Sequence, residues 1–174
     1  MIAISIWKEL EGSILDIGGG GDGIISRVYG QNVTAIDNRQ EELDEVPDNC
    51  TKLCMDARSL AFPDAAFNHA TFFFSLLYMD ADTQQQAIAE AVRVLKPGGS
   101  VTIWDADVVS AYPEPFLIEL DIDVNGEKVH TTYGIVKLDG AQNANAFLGM
   151  CKTAGLTLRV REENGNSFRL TFEK

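Results

Sequence analysis

The chain predicts a doubly wound α/β fold. It has a mostly parallel seven-stranded sheet, an antiparallel C-terminal strand pair, and a β-hairpin inserted after the fifth strand. Three observations carry this. Strand-like and helix-like apolar patterns alternate from residue 13 to residue 105, which makes parallel strands with helices packed on both faces. The alternation resumes over 139–172. Between these stretches, residues 113–138 break the rhythm with a period of two on either side of Asn125-Gly126, the dipeptide best suited to a two-residue hairpin turn. With 174 residues and 45% hydrophobic content, residues 1–174 are expected to form one domain with one real core.

The elements follow in order. The first strand spans 13–17 and stops in a block of glycines; a short helix over 23–29 is ended by Gly30. The second strand spans 33–37, and an acidic helical turn over 39–46 is closed by Pro47. The third strand spans 51–55 and the fourth 69–74. A helix over 82–95 has Asp82 as its expected N-cap and places Ile88, Ala91, Val92 and Leu95 on one face. Lys96-Pro97-Gly98-Gly99 is expected to stop it, with a cation at the negative helix end, before the fifth strand at 100–105.

In the hairpin, a two-residue loop makes residues whose numbers sum to 251 face one another. Asp123 then meets Lys128, Asp121 meets His130, and Ile122 meets Val129, so charges pair on one face and apolar groups on the other. The apolar face must be buried. It is expected either to roof a pocket at the carboxyl ends of the strands or to form a homodimer interface. A last helix over 139–154 and two strands over 156–161 and 168–172, turned at Asn164-Gly165-Asn166, complete the chain.

Charge excludes some functions. Fourteen basic residues against 26 acidic ones give a net charge of −12, unsuited to neutralising phosphates, so neither a nucleic acid nor an anionic membrane is an expected partner. No apolar run approaches the ~20 residues of a membrane span, and no secretion signal is visible. Three cysteines without a C-x-x-C pair suit reduced thiols in the cytoplasm. Two distant histidines, His69 and His130, make no metal site, and none is expected.

The chemistry concentrates in 13–37. An apolar strand ends at a glycine turn, and the following strand ends in Asp37. Glycines allow a ligand close approach, the helix after them offers free N–H groups, and an acid at a strand tip can take both hydroxyls of a ribose. Gly18, Gly20 and Gly23 literally satisfy G-x-G-x-x-G, a weak signal alone. Asp16 distinguishes the candidates, because a carboxylate facing the turn repels a pyrophosphate and suits an ammonium group.

Leu15-Asp16-Ile17-Gly18-x-Gly20 resembles the first motif of class I S-adenosylmethionine-dependent methyltransferases, of the small-molecule type. Later segments resemble the family in its own order, up to Arg93-Val94-Leu95-Lys96-Pro97-Gly98-Gly99. The resemblance implies a Rossmann-like fold, S-adenosyl-L-methionine as cofactor, and methyl transfer to a small-molecule acceptor. It also implies the cofactor's contacts: Asp16, Gly18 and Gly20 at its amino-acid end, and Asp37 on the ribose with Asn38 beside the adenine. Asp56 and Ala57 would cap the adenine amino group, and Phe74 and Ser75 would lie beside the methyl-bearing sulfur. No catalytic residue is identified. Tyr78, Trp104, Asp105, Asp107, His130 and Tyr133 are candidates for the acceptor site, each more simply read as structural.

The chain departs from the family at Asp22, where Gly is frequent, at Asn68, where an acid usually precedes the fourth strand, and in the dozen residues before the first strand, few for a lid. Two other functions stay open: a non-catalytic module that binds the cofactor or a partner, and a nicotinamide-dependent oxidoreductase.

Overall fold

Runs of isoleucine, leucine, valine and phenylalanine create the central strands, whose consecutive side chains are buried in two different apolar layers. The computed structural model describes residues 1–110, 112–138 and 142–174. Leu15 and Ile17 of β2 (Ile14–Ile17) enter one layer, and Ile14 the other. The same alternation separates Ile36 from Val33 and Ala35 in β3 (Val33–Asp37), Phe72 from Phe73 in β5 (Phe67–Phe73), and Ile103 from Trp104 in β6 (Leu95–Ala106). With β4 (Thr51–Cys54), β9 (Thr157–Asn164) and β10 (Ser167–Glu173) they form a seven-stranded sheet of order β4-β3-β2-β5-β6-β10-β9. β10 is antiparallel to both of its neighbours, and the other pairs are parallel.

One layer is closed by α3 (Ala81–Val94) and α4 (Ala144–Thr153), which contribute Ala87, Ile88, Ala91 and Val94, and Ala144, Phe147 and Cys151. The other face is covered differently from the expected helices on both sides. Besides α1 (Ile24–Tyr29) and Leu43 of α2 (Gln40–Glu45), it is covered by a second, three-stranded sheet of order β1-β7-β8. β7 (Phe116–Val124) and β8 (Glu127–Ile135) pair antiparallel from Phe116↔Ile135 to Val124↔Glu127, around Asn125 and Gly126 at φ 52° and 93°.

β1 (Ile2–Ile6) lies in a segment where the sequence reading placed no element. It pairs in parallel with β7, Ile4 opposite Ile122. Its five residues alternate too briefly to declare a strand, and its partner is more than a hundred residues away in sequence. Phe116, Ile118, Leu120, Ile122 and Val124 all point inward and are buried against α1 and the main sheet. Replacing Leu120, which is fully buried, with alanine is expected to cost about 2–5 kcal/mol in urea unfolding. Leu117 on the outer face of the same strand is 66% exposed, and its alanine variant is expected to stay within about 0.5 kcal/mol.

Three local expectations are corrected. The N-cap of α3 is Asp80, whose side chain accepts from Thr83 N at 2.8 Å, and Asp82 lies inside the first turn. The Lys96-Pro97-Gly98-Gly99 segment is strand, because its backbone pairs with the chain's last residue (Gly98 N to Lys174 O, 3.1 Å; Lys174 N to Gly99 O, 3.0 Å). Lys96 does not serve a helix end: its ammonium donates to Asn68 Oδ1. The last helix starts at Ala144, capped by Asn143; the expected start at Asp139 lies outside the described residues.

Candidate active site

β2, β3 and β5 end side by side, and their carboxyl ends carry the glycine turn, Asp37 and Phe74-Ser75. Around them opens a cleft of about 760 Å³. Its walls include all nine residues singled out by sequence: Asp16, Gly18, Gly20, Asp37, Asn38, Asp56, Ala57, Phe74 and Ser75.

The glycines are needed where they stand. Gly18 has φ 71°, and a Cβ there would lie 2.4 Å from Ser75 Cβ. A Cβ on Gly19 would meet Asp16 Oδ2 at 2.4 Å, and one on Gly20 would meet Glu42 Cβ at 2.5 Å and Asp37 Oδ2 at 2.9 Å. The turn is thus wedged between the two acids. The amides of Gly18 and Gly19 both donate to Ile36 O, at 2.9 and 3.0 Å, so they are not free for a ligand.

Asp16 is buried and accepts from Thr71 Oγ1 at 2.7 Å. Burial raises its pKa from the ordinary carboxylate range to about 7; the Thr71 hydrogen bond opposes this and the Asp37 charge adds to it. Because the folded state holds this proton more tightly than the unfolded chain, the group stabilises the fold most at acid pH. That stability is lost as pH rises towards 7. Buried Asp105, also raised to about 7 by burial, acts with the same sign. Urea midpoints of the free protein are therefore expected to fall between about pH 4.5 and 7.5, and Asp16→Asn to flatten part of that fall.

Asp37 accepts from Arg39 N at 3.0 Å. Asp56 is turned towards Arg58, which donates from its backbone and through its guanidinium at 2.7–3.1 Å, holding the carboxyl below its usual range. Ser75 Oγ donates to Ile17 O at 2.7 Å, and Phe74, in the left-handed region at φ 48°, is buried.

The hairpin supplies the remaining wall. Thr131, Thr132 and Tyr133 line the cleft. The Tyr133 ring stacks on Phe74, centroids 5.1 Å apart and planes at 4°, and its hydroxyl donates to Asp22 Oδ2 at 3.3 Å. Burial, then the Asp22 carboxylate, raises the Tyr133 phenol. Asp22, a departure from the family motif, is thus the hairpin's anchor on the turn. Of the acceptor-site candidates, Tyr78 and Tyr133 line the cleft; Trp104, Asp105, Asp107 and His130 do not. Asp105 instead accepts from Leu77 N and Gln142 Nε2, fixing the 3₁₀ turn at Leu76–Tyr78, and His130 pairs with Asp121 at 2.9 Å on the exposed face. Asn68 ties Ser13 to Lys96, far from the chemistry in the fold's construction. Glu42, Arg39, Arg58 and Asp80 also line the cleft and were not singled out; only contacts across the fold mark them.

The donor set suits a cationic nucleoside better than a dinucleotide. A pyrophosphate at the turn would face Asp16 and find the first two glycine amides already used. The match to a family model decides the matter: residues 15–103, half of the chain, match the methyltransferase domain. The chain belongs to the class I S-adenosylmethionine-dependent methyltransferases. The enzyme uses S-adenosylmethionine. The nicotinamide alternative falls with this match.

Solved structures share the fold. An S-adenosylmethionine-dependent methyltransferase from Methanosarcina mazei is 18% identical with a TM-score of 0.71, over 98% of this chain and 99% of that one. One from Mesorhizobium loti is 16% identical with a TM-score of 0.65, over 93% and 90%. A glycopeptide N-methyltransferase complexed with S-adenosyl-L-homocysteine is 14% identical with a TM-score of 0.65, over 95% and 84%. No match emerges among curated protein sequences. Among the described residues, no helix is long and apolar enough to cross a membrane, and no cluster of side chains suits a metal ion.

Proposed function

We propose that this methyltransferase, residues 1–174 acting as one unit, transfers a methyl group to a small-molecule acceptor by direct displacement. The observation that carries the reading is the convergence of the nine residues on one cleft, around glycines where no Cβ would fit. S-adenosylmethionine supplies a methyl on a positively charged sulfur, already activated for attack. The protein's part is to hold acceptor and methyl in line, which can account for much of the rate gain. Asp16 and the turn at Gly18 and Gly20 receive the amino-acid tail. Asp37 takes the ribose hydroxyls, with Asn38 beside the base; Asp56 and Ala57 face the adenine edge, which requires Asp56 to share its carboxylate with Arg58. Phe74 and Ser75 stand beside the sulfur.

We assign the hairpin to roofing the cleft rather than to a homodimer, since its apolar face is filled by the chain itself and β8 reaches the cleft. The acidic surface favours a small acceptor over a nucleic acid. The exposed thiol of Cys54 suits a reducing cytoplasm. Initial-rate kinetics with an active acceptor tests the displacement. Intersecting double-reciprocal lines are expected; parallel lines, the sign of a methylated enzyme intermediate, would refute it.

A further inference from the structure

One stretch of the cleft wall has no role in the cofactor reading. It consists of Tyr78 at the end of the 3₁₀ turn, Thr131 and Tyr133 of β8, and Asp22 of the glycine turn. The pieces are joined. Tyr133 donates to Asp22, and Tyr78 Oη accepts from Gly134 N at 3.4 Å. Tyr78 is half-exposed, so its ring and hydroxyl remain available to a ligand.

Along the whole cleft lining, seven carboxylates face two guanidiniums. Both arginines are already engaged, Arg39 with Glu41 and Glu42 and Arg58 with Asp56. Lys137 lies outside the lining and donates to the Met79 carbonyl. The single net positive charge of S-adenosylmethionine leaves the cleft negative. An anionic acceptor would enter against this field, and a neutral one would gain nothing from it. A cation is drawn in, and aromatic faces add to its binding.

We propose that this stretch is a subsite for a positively charged amine on the methyl acceptor, received by the Asp22 carboxylate, the rings of Tyr78 and Tyr133 and the Tyr78 hydroxyl. The inference rests on the methyltransferase reading of the cleft and adds the charge class of the acceptor. It also gives Asp22 a second purpose beside anchoring the hairpin.

The test is calorimetric titration of protein saturated with S-adenosylhomocysteine, using 2-phenylethylamine, 2-phenylethanol and phenylacetate, which differ in charge at nearly constant shape. The amine is expected to bind about tenfold tighter than the alcohol, and phenylacetate weakest. Asp22→Asn is expected to cut the amine-to-alcohol ratio by about threefold or more, whereas Tyr133→Phe, which keeps the ring and frees the carboxylate, preserves it. Equal affinities, tighter binding of phenylacetate, no amine binding, or a full preference in Asp22→Asn each overturns the proposal. Uptake of S-adenosylhomocysteine is measured first. Its failure overturns the cofactor reading and this proposal together, whereas uptake without amine preference overturns this proposal alone.

Discussion

Replacing Asp37 with alanine is expected to weaken binding of S-adenosylmethionine and S-adenosylhomocysteine about a hundredfold or more. The carboxylate stands at the tip of β3 on the cleft wall, and Arg39 N donates to one of its oxygens. The remaining lone pairs can accept two adjacent hydroxyls. Hydrogen bonds to a charged acceptor contribute about 1.5–3 kcal/mol each, so losing two exceeds the roughly 2.7 kcal/mol that a hundredfold change requires. The fold should survive, because Asp37 sits half-buried at a strand end rather than inside a layer. Asp37→Asn, which keeps the shape, should fall between. Titration calorimetry gives the answer, and an unchanged dissociation constant in Asp37→Ala would remove the ribose contact from the account.

The second large effect is on the cradle. Gly18→Ala is expected to destabilise the protein by about 3 kcal/mol, combining a left-handed backbone for a non-glycine residue with a collision against Ser75. Ser75 cannot easily yield, since it is buried and its hydroxyl is fixed on Ile17 O. The double variant Gly18→Ala/Ser75→Gly removes the colliding Cβ and keeps the backbone strain. It should recover about 1 kcal/mol or more relative to Gly18→Ala in urea unfolding. Full stability in the single variant would contradict the described geometry of the turn.

Much of this fold is legible in the sequence because its signals are local. The glycine block after Leu15-Asp16-Ile17, the acid ending the next strand, and Asn125-Gly126 between two period-two runs each state their geometry within a few residues. The residues lining the cleft were legible for the same reason: Asp16, Gly18, Gly20 and Asp37 sit at strand ends that a parallel sheet must bring together.

What the sequence concealed depends on contacts distant along the chain. β1 is a strand because β7 lies beside it. The 96–99 segment is strand because the C-terminal residue pairs with it. Tyr133, one of six candidates that the sequence could not rank, reaches the cleft because the hairpin folds back over the main sheet and docks on Asp22. The period-two pattern showed that the hairpin had an apolar face, and nothing local told which surface would cover it. The glycine turn is likewise fixed from a distance, because the neighbouring strand's Ile36 carbonyl takes the amides of both Gly18 and Gly19.

A crystal structure of the protein with S-adenosylhomocysteine tests the central claim most directly. The ribose hydroxyls are expected on the Asp37 carboxylate, and the amino-acid tail against Asp16 and the glycine turn. A ligand seated elsewhere, or a ribose that leaves Asp37 untouched, would contradict it.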